Sequence, residues 1–356
     1  RVSSIPASQN VVAARRYSVA PMMDWTDRHE RYFLRLITHQ AMLYTEMISA
    51  AALLHGDRNR LLVHSAAEYP LGLQLGGSDP REMALCARFG EAAGFNEINM
   101  NVGCPSPRVQ SGRFGACLMA EPELVSDCFS AMASTVRIPV TIKCRIGIDD
   151  RDSYDDLESF VTTLVDGGCR TFIVHARKAW LTGLSPKKNR EVPPLHYNMV
   201  YRLKQNYSDL EIIVNGGICS IEAAHSHLKH VDGVMVGREA YQNPFSLADV
   251  DGQLFGTTNP PLTRWQVLDQ YKSYVAREIE SGTQLKHMSR NILALFSGQA
   301  AARAWCRYLS EHAVRYGAGP AVFEAAERLV QQHMLPVAQL RCTQQTSAEP
   351  TSELPS

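Results

Sequence analysis

EIIVNGGICSIEAAHSHLKHVDGVMVGRE, residues 211–239, holds two short apolar runs, each closed by glycine, with a segment of helical spacing between them. EIIV and GVMV read as strands, and Ile221 to Lys229 reads as a helix, so the stretch is one strand–helix–strand unit. A crossover of this kind joins parallel strands. The same alternation runs back through the chain: YSVAPMMD (17–24), MLYTEM (42–47), LGLQLGG (71–77), EINMNVG (97–103), VTIKCRIG (140–147) and TFIVHAR (171–177), making eight candidate strands in all. Helical spacing recurs at 80–94, 122–136 and 154–168, and Ser78-Asp79-Pro80 is a helix-start signal. Eight such units in about 230 residues are what a closed parallel TIM (β/α)8 barrel requires. An open doubly wound sheet is the alternative, but it would gather its ligands at one switch point, whereas polar residues here end nearly every run.

After Asn259-Pro260-Pro261 the pattern turns to helices alone, at 263–280, 288–296, 301–316 and 321–332. The expected organisation is therefore a barrel domain over 17–250, a linker, an all-helical domain over 260–341, and disordered tails at 1–16 and 342–356. Lys plus Arg equals Asp plus Glu, 36 each, so net charge excludes no partner. Its distribution is uneven, because Lys and Arg outnumber Asp and Glu ten to six between Pro260 and Arg341. Nine cysteines without a C-x-x-C pair argue for reduced thiols and against a disulfide framework, a zinc ribbon or an iron–sulfur site. No apolar run is long enough to span a bilayer, and no His, Asp or Glu pair has metal-ligand spacing, so neither membrane nor metal is expected. Arg1, Arg15 and Arg16 without an acidic residue read as part of a tail in a cytoplasmic monomer, or as the remnant of a mitochondrial or plastid transit peptide.

In a barrel the reacting groups sit where strands end, so the run ends form one surface. Lys143, flanked by apolar strand residues, needs an anionic partner: either a ligand or, inside the barrel, Glu46. Asn215-Gly216-Gly217 and Gly237-Arg238 close the last two runs, where barrels most often hold a phosphate; either motif alone would suit a tight turn. A lone histidine is usually a satisfied core residue, but at that rim His175 is better placed to hydrogen-bond an anionic ligand. A phosphate site, a buried cation and the amide of Gln74 at one mouth suit a flat phosphorylated cofactor such as FMN, with Cys104 facing it as proton donor. Taken alone, Cys104 would read as an inert buried thiol.

Together, VAPMMDWTDRH, LQLGG, NVGCPS, IPVTIKCRIG, VHARKAWLTGLSPKKNR, VNGGI and DGVMVGREAYQNP resemble the tRNA-dihydrouridine synthases, most closely their A subfamily, from about Tyr17 to Asp251. The resemblance implies FMN held by Pro21, Met22, Met23, Gln74, Lys143, His175, Asn215, Gly216, Gly217, Gly237 and Arg238, with NADPH as reductant. It implies a uridine of the tRNA D-loop as substrate, at positions 20 and 20a, with Cys104 as general acid and Asn101 touching the substrate. Saturating C5–C6 of uracil takes a hydride at C6, from the flavin, and a proton at C5, which a thiol on the opposite face can supply. The base must leave its stack to be reached.

Lys187, Lys188 and Arg190 lie after the sixth run, and Arg303 and Arg307 are four apart on a helix, a spacing that suits phosphate contacts; each also reads as a solvated surface charge. The subfamily pattern has arginine where Cys306 stands. Two other functions remain open. A small-molecule flavin oxidoreductase of the dihydroorotate-dehydrogenase kind would not need the basic helices, and an RNA-binding scaffold would not need Cys104.

Overall fold

The computed structural model describes residues 7–334. The strands are β1 (Tyr17–Val19), β2 (Leu43–Tyr44), β3 (Ile48–Ser49), β4 (Leu71–Gly76), β5 (Glu97–Val102), β6 (Val140–Arg145), β7 (Thr171–His175), β8 (Glu211–Asn215) and β9 (Gly233–Val236). All ladders are parallel, in the order β1-β9-β8-β7-β6-β5-β4-β2, and a parallel bridge between Ser18 and Met42 brings the two ends together. The sheet thus goes round as a barrel, and the open doubly wound alternative is set aside.

β1 and β4 to β9 each end before the apolar run that signals them does, leaving the run's last residues beyond the strand, with Arg238 already opening the helix Arg238–Gln242. The second run, 42–47, yields only β2, and β3 follows just beyond it, both strands pairing with β4. Between them the Thr45 hydroxyl accepts the Gln74 N–H at 3.1 Å and donates to the Glu46 carbonyl at 2.7 Å, so a side chain replaces the ladder and the strand breaks.

Alternation sorts the strand residues. On β5, Ile98, Met100 and Val102 are fully buried, as are Glu97 and Asn99, with Asn101 nearly so. The polar set forms one hydrogen-bonded column. Asn101 Nδ2 donates to Gln74 Oε1 (2.9 Å), Gln74 Nε2 to Asn99 Oδ1 (2.8 Å), Asn99 Nδ2 to Thr141 Oγ1 (2.9 Å), and Thr141 to Glu97 (2.5 Å). Tyr44 and Arg15 also donate to Glu97, at 2.9 and 2.6 Å.

Arg15 corrects an expectation. Residues 1–16 read as a tail, yet Ala7–Ala14 is a helix, and Val11 and Ala14 pack with Ala20, Met42, Tyr44, Ile173, Ile213 and Met235. Arg15 follows, 2 % exposed, bonding Glu97 and both oxygens of Glu211. Burial alone would lower its pKa, but Glu97 and Glu211 outweigh that and raise it. A short apolar segment ending in arginine has too little periodicity to announce itself; two acids from distant strands fix it.

The chain divides into two compact units, residues 1–267 and 268–356, so the break falls inside the helix Arg264–Glu280 rather than in the expected linker near 250–262. The second unit has a core of Tyr271, Phe296, Trp305 and Phe323. Its expected helix over 288–296 is instead a short helix, Leu285–Ser289, followed by turns. Side chains take carbonyls there: Tyr271 O–H donates to Met288 O (2.9 Å), Trp305 Nε1 to Ile292 O (3.0 Å) and Cys306 to Leu293 O (3.1 Å). Helices Ala302–His312 and Ala321–Met334 complete it. The expected tail at 342–356 and residues 335–341 of the expected helical domain lie outside the described residues.

Candidate active site

Cys104 stands two residues beyond β5, partly exposed. Its loop is fixed from two sides. Asn101 Oδ1 accepts the N–H groups of Gly103 (3.1 Å) and Cys104 (3.0 Å), and Arg145 Nε donates to Gly103 O (2.8 Å). Cys104 O accepts the Ala116 N–H at 2.9 Å, and Gly115, with φ 79°, has no room for a Cβ, which would lie 2.5 Å from that carbonyl. The loop shape is therefore held by strand side chains and by a glycine that cannot be replaced without moving it.

Lys143 neighbours Asn101 in the β5–β6 register. Glu46, the alternative partner inside the barrel, accepts the Asp24 N–H instead, and among the described residues no acceptor pairs with the Lys143 ammonium. Burial, reinforced by Arg145, pushes its pKa down to about 8. Burial likewise lowers Arg145 to about 10 and holds His175 well below its ordinary value, with Arg145 and Lys143 adding to the effect. Among the described residues neither Lys143 nor Arg145 has a carboxylate partner.

Gly216 (φ 114°) and Gly217 (φ 70°) both adopt left-handed conformations after β8. A Cβ on Gly216 would come within 2.7 Å of His175, and one on Gly217 within 2.7 Å of Leu195. Glycine is required at both, as a tight turn and a backbone phosphate cradle alike demand. Asn215 Nδ2 donates to Met235 O (2.8 Å), tying β8 to β9 just below Gly237 and Arg238, and Arg238 pairs with Glu191 at 2.7 Å. Arg177 has a buried Nε without a partner in the same neighbourhood, its Nη1 donating to Pro193 O and Glu191 O.

From β1, Pro21 and Met22 are partly buried, Met22 against the barrel cluster, while Met23 is 53 % exposed. Gln74 lies in the polar column, its amide retaining one N–H and one lone pair beyond its bonds to Asn99 and Asn101. Lys187 and Arg190 are exposed on the loop after β7, which Asn189, fully buried, organises through Trp180 and Leu184. Arg303 and Arg307 are exposed on one face of Ala302–His312, in the other unit. Sequence reasoning placed Arg145 at the rim without its three-carbonyl grip, and it missed Gln110 and Asn189. The polar residues at 97, 99 and 101, and at 141, 143 and 145, were the available signal that the barrel interior is polar.

The donors suit an anionic, phosphorylated ligand: a glycine pair that bares its amides, an unpaired ammonium and an orphaned guanidinium N–H. Among the described residues no three His, Cys, Asp or Glu gather as a metal would need, and no helix is long and apolar enough to cross a membrane. The family model for dihydrouridine synthase (Dus) matches residues 18–331. The chain belongs to that family. It is 55 % identical to the tRNA-dihydrouridine(20/20a) synthase of Shewanella oneidensis, over 89 % of this chain and 94 % of that protein. It is 53 % identical to the protein of the same name from Escherichia coli strain K12, over 93 % and 96 %. Among solved structures, a 2-naphthoyl-CoA reductase complex aligns with a TM-score of 0.53 at 8 % identity, over 66 % of this chain and about half of that one (49 %), a likeness of fold. As a dihydrouridine synthase, the chain is an enzyme of a flavin-dependent oxidoreductase family.

Proposed function

We propose that this chain reduces the C5–C6 bond of uridines 20 and 20a in the tRNA D-loop, using FMN and NADPH, as a cytoplasmic monomer. The observation that carries the reading is Cys104, held by Asn101 and Arg145 at a mouth where Lys143 lacks a counter-charge. FMN fits the donor set: Gly216, Gly217, Gly237 and Arg238 would hold its phosphate, and His175, Asn215, Gln74, Lys143, Pro21, Met22 and Met23 would bind the rest. When bound, the flavin supplies the hydride delivered to C6.

The protein's own residues do the rest. Cys104 carries the proton that goes to C5, on the face of the base away from the hydride. Asn101 fixes the amide of Cys104, so one side chain sets the height of the thiol and, through its remaining surface, meets the polar edge of the base. His175, whose protonation burial and the neighbouring cations disfavour, offers its ring nitrogens for hydrogen bonding to the ligand. Lys187 and Arg190 hold RNA phosphates while the target base is flipped into the mouth. Arg303 and Arg307 do the same from the helical unit.

The test is to incubate the protein with NADPH and unmodified tRNA transcript under low oxygen, then map dihydrouridine by reverse-transcription stops after alkaline cleavage. New signal at 20 and 20a is expected from the wild type. Cys104→Ala should stay yellow and be reduced by NADPH yet make little dihydrouridine; full activity in that variant removes the proposed acid. A wild type that oxidises NADPH but leaves both unmodified transcript and native dihydrouridine-free tRNA unchanged overturns the reading.

A further inference from the structure

The loop presenting Cys104 and the loop carrying Lys187 and Arg190 follow different strands, β5 and β7, yet two side chains tie them together. Arg145, at the end of β6 between them, grips Gly103 O on one side and Lys178 O and Asn189 O (3.1 Å each) on the other. Gln110 makes a second tie. From the short helix Pro107–Ser111 its Nε2 donates to Pro105 O and to Leu181 O, both at 2.8 Å. Both N–H groups of one amide are thus spent on a carbonyl from each loop. Pro105 is the residue next to Cys104, and Leu181 belongs to the segment that Asn189 and Asp149 hold rigid, the latter by accepting the Leu181 N–H at 2.8 Å.

We infer that Gln110 is a positioning residue that locks the Cys104 loop in register with the basic loop. RNA seated on Lys187 and Arg190 then has its flipped base at a set distance from the thiol, and binding and protonation geometry become one event. The inference rests on the proposed tRNA reading. Gln110 itself touches neither flavin nor RNA; its effect passes through Pro105 and Leu181.

Gln110→Glu keeps the side-chain shape but sets oxygens against both carbonyls. In the full-length, flavin-loaded protein, single-turnover dihydrouridine formation at saturating tRNA should fall about 10–100-fold, while the tRNA Kd changes by less than about threefold. Gln110→Lys, which returns donors to the same carbonyls, should recover most of that rate, whereas Gln110→Ala should not. A second readout needs no turnover: the rate at which iodoacetamide alkylates Cys104, followed by the mass of its peptide, should differ at least about threefold between wild type and Gln110→Glu. Unchanged turnover with unchanged alkylation overturns the inference, as does a loss of rate fully accounted for by weaker tRNA binding. If the wild type makes no dihydrouridine, the tRNA reading fails by itself, and the alkylation comparison decides whether the lock exists.

Discussion

Lys143 is the residue whose state most directly reports on the site. An ammonium without an acceptor, beside Arg145, is held at about pH 8, against an ordinary value near 10.4. Between those values the unfolded chain binds more protons than the folded one, so the flavin-free protein should gain stability as pH rises through that window; the full cost is present below pH 8. A ligand that presents acceptors to Lys143 favours the charged form, so binding above pH 8 takes up a proton. Flavin affinity, measured by titrating flavin-free protein, should therefore weaken by up to about tenfold per pH unit between pH 8 and 9.5. Lys143→Met should bind more weakly at pH 7 and show a flat profile over the same range. A slope that survives the substitution assigns the titration to another group.

Among the elements, the N-terminal helix Ala7–Ala14 and Arg15 are the largest departure from what the sequence suggested, and they have a measurable consequence. Replacing Arg15 with Leu leaves Glu97 and Glu211 facing each other's field without their common counter-charge; breaking a buried pair in this way costs about 3–5 kcal/mol. Urea unfolding at fixed flavin concentration should show that loss, and Glu97→Gln, which keeps hydrogen-bonding capacity toward Tyr44 and Thr141, should lose less. Equal midpoints for Arg15→Leu and wild type would mean that the ion pairs contribute nothing net. The barrel strands were legible because apolar runs with glycine punctuation leave a local mark at every turn of the chain. Arg15 left none, since what fixes it are acids 82 and 196 residues away. The early end of β2 was hidden for the same reason, because Thr45 meets β4 through a side-chain bond to Gln74. At the site, the glycines, Lys143, His175 and Cys104 could be picked out by type and position, whereas the grips of Arg145 and Gln110 depend on loops meeting in space.

For the molecule as a whole, zero net charge means that attraction for RNA has to be local, acting within a screening length of about 8 Å at physiological salt. The exposed cations proposed for the purpose are Lys187 with Arg190 in one unit and Arg303 with Arg307 in the other, and among the described residues none of these four side chains is committed to an ion pair. Counter-ion release makes their contributions separable. Taking one cation away from a phosphate should flatten the dependence of log K on log salt by about 0.7–0.9, so removing either pair should flatten it by about 1.4–1.8, and removing both pairs by about twice that. Binding of unmodified tRNA to Lys187→Ala/Arg190→Ala, to Arg303→Ala/Arg307→Ala and to the quadruple variant, measured across a salt series, gives the partition. Cys306 stands where the resembling subfamily has arginine, so a full effect from the Arg303/Arg307 pair would show that those two cations suffice to hold the RNA from the helical unit. No change in slope from that pair would leave the helical unit without a hold on phosphate at this face, and the barrel's basic loop would then have to align the D-loop alone.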